Sequence, residues 1–362
     1  MPASMPGTHH YGLILAGGRG TRFWPRSRRR TAKQVLNVVG SRSLIQNTVD
    51  RLAPVIAPER LWVLTNDYLR DEIVRQLPQV PSRQIVAEPA QRNTAPAIGL
   101  AARILESLDP TAVMGVFPAD HIIAREGRYR KLVRSALREA AEGRIVVLGI
   151  LPRWAETGYG YIEFPRGVEP GGAPTPIRQF REKPNAATAK RYVASGRFFW
   201  NAGMFFWRVD VLLNELREHL PRTASILASL PPFADAAFFP KLLEAYPRCE
   251  NISIDFAVLE KAREVTGIAC GDIGWNDVGS WNAVYELLPH DAAGNVLPAG
   301  AISQSSAGNF VDAGAKTVAL VGVSNLIVVD TPDALLIAHR DKAQQVSDVV
   351  KVLEQRKRDD LL

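Results

Sequence analysis

Five short apolar runs, at residues 11–16, 61–65, 84–87, 113–117 and 145–149, dominate the first half of the chain and leave it few ways to fold. Runs without polar alternation have no face to offer water, so they suit strands buried on both sides of a parallel sheet. Residues 43–52, 69–77, 95–108 and 129–142 separate them, each with apolar side chains at helical spacing. This alternation predicts a doubly wound α/β sheet with its ligands at the carboxyl ends of the strands.

The first run ends at such a site. Gly17, Gly18 and Gly20 follow Ala16, and then come Thr21, Arg22 and, thirteen residues past Gly20, Lys33. Peptide units without Cβ atoms let backbone N–H groups face an anion closely. Arg19, Arg22 and Lys33 can add charge-assisted bonds to phosphoryl oxygens. The segment reads as a polyphosphate site, although a glycine turn after one strand is as often an ordinary strand-to-helix turn. Its G-G-x-G spacing fits neither the dinucleotide fingerprint G-x-G-x-x-G nor the P-loop G-x-x-x-x-G-K-[ST]. A nicotinamide-dependent oxidoreductase is disfavoured for the same reason.

Farther on, residues 151–172 look hairpin-like, and helical spacing returns at 185–194, 209–220 and 256–262. From 295 to 338 the chain becomes short strands and turns, with apolar rungs at 318–323, 326–330 and 335–338, before a helical stretch at 342–356. A chain of 362 residues exceeds the ~250–300 that one core supports. The expected division is a loose leader at 1–10, an α/β domain at 11–290 and a small β domain with a closing helix at 291–362. No run approaches the ~18 apolar residues of a membrane span. Cys249 and Cys270 are the only cysteines, which excludes a disulfide framework and suits a reducing, cytoplasmic setting. The net charge of +7 and the cluster Arg26, Arg28, Arg29 and Arg30 raise nucleic-acid binding. The excess is modest and no recognition motif accompanies it, so the cluster reads as a solvated loop, with neither nucleic acid nor membrane as partner.

Asp120 follows an apolar strand in FPADH, and Asp277 lies in the Gly- and Trp-rich turn GWNDVGSW. Two such carboxylates could share one magnesium ion with phosphate oxygens, whereas each alone reads as a turn or cap residue.

Several motifs occur in order: LAGGRGTRFWP (15–25) with Lys33-Gln34, EPAQRNTAPAI (88–98), FPADH (117–121), TGYGYIE (157–163), REKP (181–184), WNAGMFFW (200–207), SIDFAVLEKA (253–262) and GWNDVGSW (274–281). Together, over about residues 11–341, they resemble the bacterial mannose-1-phosphate guanylyltransferases, a family of sugar-1-phosphate nucleotidyltransferases. The resemblance implies a Rossmann-like, mixed-sheet nucleotide-diphospho-sugar transferase fold with a β-helix-like C-terminal domain. It implies transfer of GMP from GTP to mannose 1-phosphate, giving GDP-mannose and pyrophosphate. Ala16, Gly17, Gly18, Gly20 and Thr21 would contact the nucleotide, with Arg92, Asn93, Thr94 and Pro96 near the guanine. Arg22 and Lys33 would be catalytic through charge stabilisation, and Asp120 and Asp277 would hold Mg2+. Gly160, Glu182, Lys183, Asn201 and, more weakly, Asp255 would bind the sugar phosphate. His121 and the aromatic run Trp200, Phe205, Phe206 and Trp207 read as structural. Alternatives are the same reaction with another nucleoside triphosphate or hexose 1-phosphate, or a regulatory homologue that binds GDP-mannose without making it.

One departure stands out. The family usually has proline before the lysine, where this chain has Ala32, which predicts a less preorganised Lys33. The exposed edges of the C-terminal rungs suggest a homodimer.

Overall fold

A computed structural model, which describes residues 9–362, folds the alternating half as anticipated. In chain order it runs β1 (His10–Leu15), α1 (Leu44–Leu52), β2 (Leu61–Asn66), α2 (Asp67–Gln76), β3 (Ile85–Glu88), α3 (Thr94–Leu108), β4 (Val113–Pro118), β5 (Ile122–Ile123), α4 (Glu126–Ala141) and β6 (Ile145–Ile150). Strands β3, β2, β1 and β4 are neighbours and mutually parallel. All six residues of β6 are buried, which is why these runs carry no polar alternation. Residues 1–8 of the expected leader lie outside the described residues. Its last two are anchored: His10 opens β1, and His9 Nδ1 lies 2.8 Å from Asp109 Oδ2.

The chain continues through β7 (Tyr161–Glu163), β8 (Thr175–Pro176), β9 (Gln179–Arg181), α5 (Ala186–Ser195), β10 (Phe198–Arg208), α6 (Val209–His219), α7 (Pro221–Ala228), α8 (Phe238–Ala245), β11 (Val265–Cys270), β12 (Trp275–Asn276) and α9 (Trp281–Leu287). Strand β10 inserts antiparallel between β4 and β6, and β11 runs parallel to β6, so the sheet is mixed. Because β10 runs backwards, its first residues, including Asn201, reach the edge where β1 to β4 end. The hairpin-like stretch at 151–172 supplies β7, which pairs antiparallel with β9 and with β10, so the antiparallel pairing closes beyond residue 172. The helix expected at 256–262 is a π-helical turn at Asp255–Leu259. Strand β11 and helices α7 and α8 are not legible in the sequence, because their short apolar stretches become distinctive only once packed.

The C-terminal part comprises β13 (Ile302–Gln304), β14 (Phe310–Asp312), β15 (Ala319–Val321), β16 (Leu326–Asp330), β17 (Leu335–His339) and α10 (Val346–Gln355). Parallel pairing of Ile302 with Ala319 and of Phe310 with Ile327 winds the backbone into a coil of 17 residues per turn (319 minus 302; 327 minus 310). Asn295 and Asn309, both buried, brace its interior: Asn309 Nδ2 donates to Asn295 Oδ1 at 2.9 Å and to the Val323 carbonyl at 3.1 Å. Satisfied amides of this kind hold successive turns in register.

This coil packs on the glycine loop. Phe23 and Trp24 enter one core with Trp281, Phe310, Ile327 and Val350. Trp24 Nε1 donates to the Leu361 carbonyl at 3.0 Å, and Trp281 Nε1 to the Trp24 carbonyl at 3.1 Å. The arginine cluster, read from sequence as a solvated loop, joins the same interface. Arg26 bonds Asp312, Arg28 bonds Asp333 and Arg29 bonds Asp359, each an acid of the C-terminal part. Ile327 is wholly buried there, so Ile327→Ala should cost about 2–5 kcal/mol. Urea unfolding followed by tryptophan fluorescence should show one shifted transition, whereas a separate early transition would mean that the two parts do not share a core.

Candidate active site

The three glycines do different things. Gly20 has φ 61°, and a Cβ there would lie 2.6 Å from Lys33 Cβ and 2.9 Å from Lys33 N. It must be glycine for both backbone conformation and packing, because it lets the Lys33 segment lie against the loop. Gly18 faces open space, with nothing within 4 Å of an added Cβ. Buried Gln34, to which the sequence alone assigns no role, donates through Nε2 to the Ala16 carbonyl at 2.6 Å and the Gly18 carbonyl at 3.0 Å. It secures the loop's acceptors on the protein side.

Lys33 is the hub. Its ammonium donates to Asp120 Oδ2 at 2.8 Å and to the Asp277 carbonyl at 2.7 Å, and its side chain is only 8% exposed. Desolvation opposes charge on Asp120, but Lys33 outweighs it and holds the carboxyl below its ordinary range. The two aspartates meet because β5, just after Asp120, pairs antiparallel with β12, just before Asp277. Val278, next in line, is buried with φ 48°, a strained state for a β-branched residue that the surroundings must enforce. Arg22 is exposed and steadied by the Gly279 carbonyl at 3.2 Å. His121 accepts from Trp275 Nε1 at 3.2 Å and packs edge-on against that ring, and burial lowers its pKa. Ala32 has φ −67°, a value that the proline usual in the family would also adopt, so the backbone conformation here is the same one a proline would select.

A cavity of about 580 Å³ opens between the loop and α3, lined by Gly17, Gly18, Glu88, Arg92, Asn93 and Asp120. Asn93, at φ 65°, caps α3 by accepting from Thr94 N at 2.9 Å, and Thr94 Oγ1 accepts from Ile254 N at 2.9 Å. Arg92 also donates to the Pro247 carbonyl. Pro96 is buried in the first turn of α3 and Ala97 lines the cavity instead. Thr21 borders a neighbouring cavity rather than this one. Glu88 is a site residue that sequence reasoning missed: desolvation pushes it up to about 7 even though Tyr246 Oη donates to it at 2.5 Å. A carboxylate ending a strand in an EP dipeptide was the available signal.

The five residues expected to bind the sugar phosphate form one cluster. Gly160 is buried against the Glu182 carboxylate, which a Cβ would strike, and its carbonyl accepts from Asn201 N at 2.8 Å. Asn201 Nδ2 donates to Asp255 Oδ1 at 2.9 Å. Its Oδ1 accepts from Gly203 N, fixing a register shift in β10. Lys183, at φ 46°, places its ammonium 2.5 Å from Glu182 Oε1, while Glu182 Oε2 is buried without a partner among the described residues. Glu260 accepts from Glu182 N at 2.8 Å. Burial, then the neighbouring Glu182, pushes Asp255 up to about 6. Tyr159 packs on Trp200 and Trp275, and burial followed by the nearby Asp277 charge raises its pKa, so it links this cluster to the aspartate pair.

Residues 11–294 match the nucleotidyl transferase family and residues 301–353 the MannoseP isomerase/GMP-like beta-helix domain. The chain is 39% identical over 361 residues to the mannose-1-phosphate guanylyltransferase of Escherichia coli (strain K12), covering 96% of this chain and 74% of that one. The chain belongs to the nucleotidyl transferase family. Within it, the chain groups with the mannose-1-phosphate guanylyltransferases. The xanthan biosynthesis protein XanB of Xanthomonas campestris pv. campestris is 38% identical over 346 residues, covering 94% of this chain and 73% of that one. A solved Thermus thermophilus structure described as a mannose-1-phosphate geranyltransferase superposes with TM-score 0.84 at 35% identity, covering 96% of this chain and 99% of that one.

Nucleotidyl transferases of this family generally use a divalent metal ion. The aspartate pair is compatible with one: Asp120, through its carboxylate, and Asp277, through its backbone carbonyl, come from different loops to the same ammonium, and both aspartate charges act on His121. That donor set suits a hard cation completed by phosphate oxygens and water.

Asp255 yields a stability prediction. Its folded pKa, about 6, lies above the ordinary 3.8. Its contribution to stability is therefore full below about pH 4 and lost as pH rises through about 6. Asp255→Asn should raise Tm at about pH 8, with the gain shrinking below about pH 6. Calorimetry across that range checks it, and a gain independent of pH would contradict the assignment.

Proposed function

We propose that this chain transfers GMP from GTP to α-D-mannose 1-phosphate, releasing pyrophosphate and GDP-mannose. The reading rests on one observation above all: beneath a glycine loop, one buried ammonium donates to the Asp120 carboxylate and to the Asp277 backbone carbonyl. Such a site can neutralise a triphosphate without any covalent intermediate, so catalysis comes from positioning and charge. In-line attack by a sugar-phosphate oxygen on the α-phosphorus then expels pyrophosphate.

Gly17 and Gly18 bring backbone close to the phosphates, while Lys33 and Arg22 supply positive charge where the phosphoryl group transfers. Asp120 and Asp277 would hold Mg2+, which when bound neutralises charge on the triphosphate and the departing pyrophosphate. The base lies in the cavity with Arg92, Asn93 and Thr94. Guanine's N1–H and exocyclic amine are donors, and Glu88 is the acceptor placed to take them, whereas adenine offers an acceptor at N1. On the sugar side, the unpartnered Glu182 Oε2 accepts a hexose hydroxyl, Asn201 and Asp255 flank it, and Lys183 meets the sugar's phosphate. The catalytic unit spans 11–290 and the coil 291–362. Two buried free cysteines suit the reducing cytoplasm. On the edge strand β17, Leu335 and Ile337 are 55% and 62% exposed, which supports a homodimer.

Pyrophosphate release over a matrix of four nucleoside triphosphates and several hexose 1-phosphates, with and without Mg2+, tests the reading. GTP with mannose 1-phosphate should be the preferred pair, and a different preferred pair would overturn the substrate assignment. Lys33→Ala should lower kcat about 10²–10³-fold, and undiminished turnover would remove Lys33 from the mechanism. Glu88→Gln should narrow the preference for GTP over ATP by about 10–100-fold. An unchanged ratio of kcat/KM values would place guanine recognition elsewhere.

A further inference from the structure

Arg19 sits at the tip of the glycine loop and is shared between two places. It lines the nucleotide cavity beside Gly17, Gly18 and Asp120. It also borders a neighbouring cavity of about 660 Å³ with Arg28, Arg29 and Glu354. In the structure its guanidinium is turned to the second: Arg19 Nη2 donates to Glu354 Oε1 of α10 at 2.6 Å. Both side chains are well exposed, at 42% and 37%.

We infer that Arg19 is a ligand of the nucleotide's phosphates which the closing helix α10 holds off through Glu354, so that nucleotide binding and this helix contact compete for one guanidinium. The inference rests on the nucleotidyl transfer proposed above. Three observations carry it. Docking of the C-terminal part does not need this pair, because Phe23, Trp24 and the buried core secure it and Arg26, Arg28 and Arg29 have acids of their own. Gly18 faces open space, so the Arg19 side chain has room beside the loop to turn. Finally, an exposed ion pair is worth only about 0.2–1 kcal/mol, whereas a triphosphate presents several anionic oxygens to a guanidinium fork. Releasing Arg19 therefore takes little of the nucleotide's binding energy.

The size of the effect follows from that weakness. Freeing Arg19 can tighten nucleotide binding by no more than the pair is worth, which is about 1.4–5-fold. Equilibrium binding of GTP in the presence of Mg2+, measured on the full chain, decides the matter. Glu354→Gln should lower Kd for GTP by up to about 5-fold, with a smaller effect at high salt. Arg19→Gln should raise Kd, and the double variant should match Arg19→Gln, because Glu354 acts only through Arg19. Steady-state assays should show the Glu354→Gln change in KM for GTP with kcat unaltered. Unchanged or weaker binding in Glu354→Gln, or a double variant whose effects simply add, would overturn the inference. Binding is read separately from turnover: a wild-type chain that binds GTP but releases no pyrophosphate would sink the functional reading alone.

Discussion

The site depends on a buried ammonium. Lys33 is almost fully withdrawn from water, and a charge in that position is tolerable only while its partners hold. Asp120 and the Asp277 carbonyl are those partners, and each arrives from a different part of the chain. Around this contact the neighbouring features fall into place. Gly20 must lack a side chain so that Lys33 can lie against the loop, β5 must pair with β12 to bring the aspartates together, and Val278 must accept a strained backbone. An ion pair of this kind is weak evidence for stability, but it is good evidence for a site in which charge is kept ready.

The cluster proposed to take the sugar uses the complementary device, which is excess negative charge. Glu182 and Asp255 are buried close enough that one raises the pKa of the other, and Glu182 retains an acceptor without a partner among the described residues. Such a cluster destabilises the empty protein, and donors on a hydroxylated ligand offset that penalty. Lys183 tempers the charge at the exposed rim. Tyr159, packed on Trp200 and Trp275, lies between the two halves.

The C-terminal coil is a structural partner of the nucleotide loop rather than an appendage. Phe23 and Trp24 leave the loop directly for a core they share with the coil, and the arginines that follow bond its acids. The positive cluster that raised nucleic acid as a possible partner is thus largely neutralised inside the molecule.

Sequence by itself determined the local terms. Unbroken apolar runs placed strands β1 to β4 and β6, because strands buried on both faces cannot alternate. The glycine spacing excluded two common phosphate loops, and the ordered motifs marked Asp120, Asp277, Glu182 and Asn201. Short elements whose pattern is ambiguous until packed, such as β11 and the π-helical turn at Asp255, were not legible. Nor were roles that depend on distant neighbours: Gln34 beneath the loop, Glu88 in the cavity wall, the burial of Pro96, and the destination of Arg26, Arg28 and Arg29. Ala32 illustrates the limit, since its identity alone leaves φ free while the folded chain sets it at −67°, the value a proline would take. Local preference is written along the chain, but burial, pKa and charge pairing depend on which remote residues arrive alongside, and only the tertiary structure decided that.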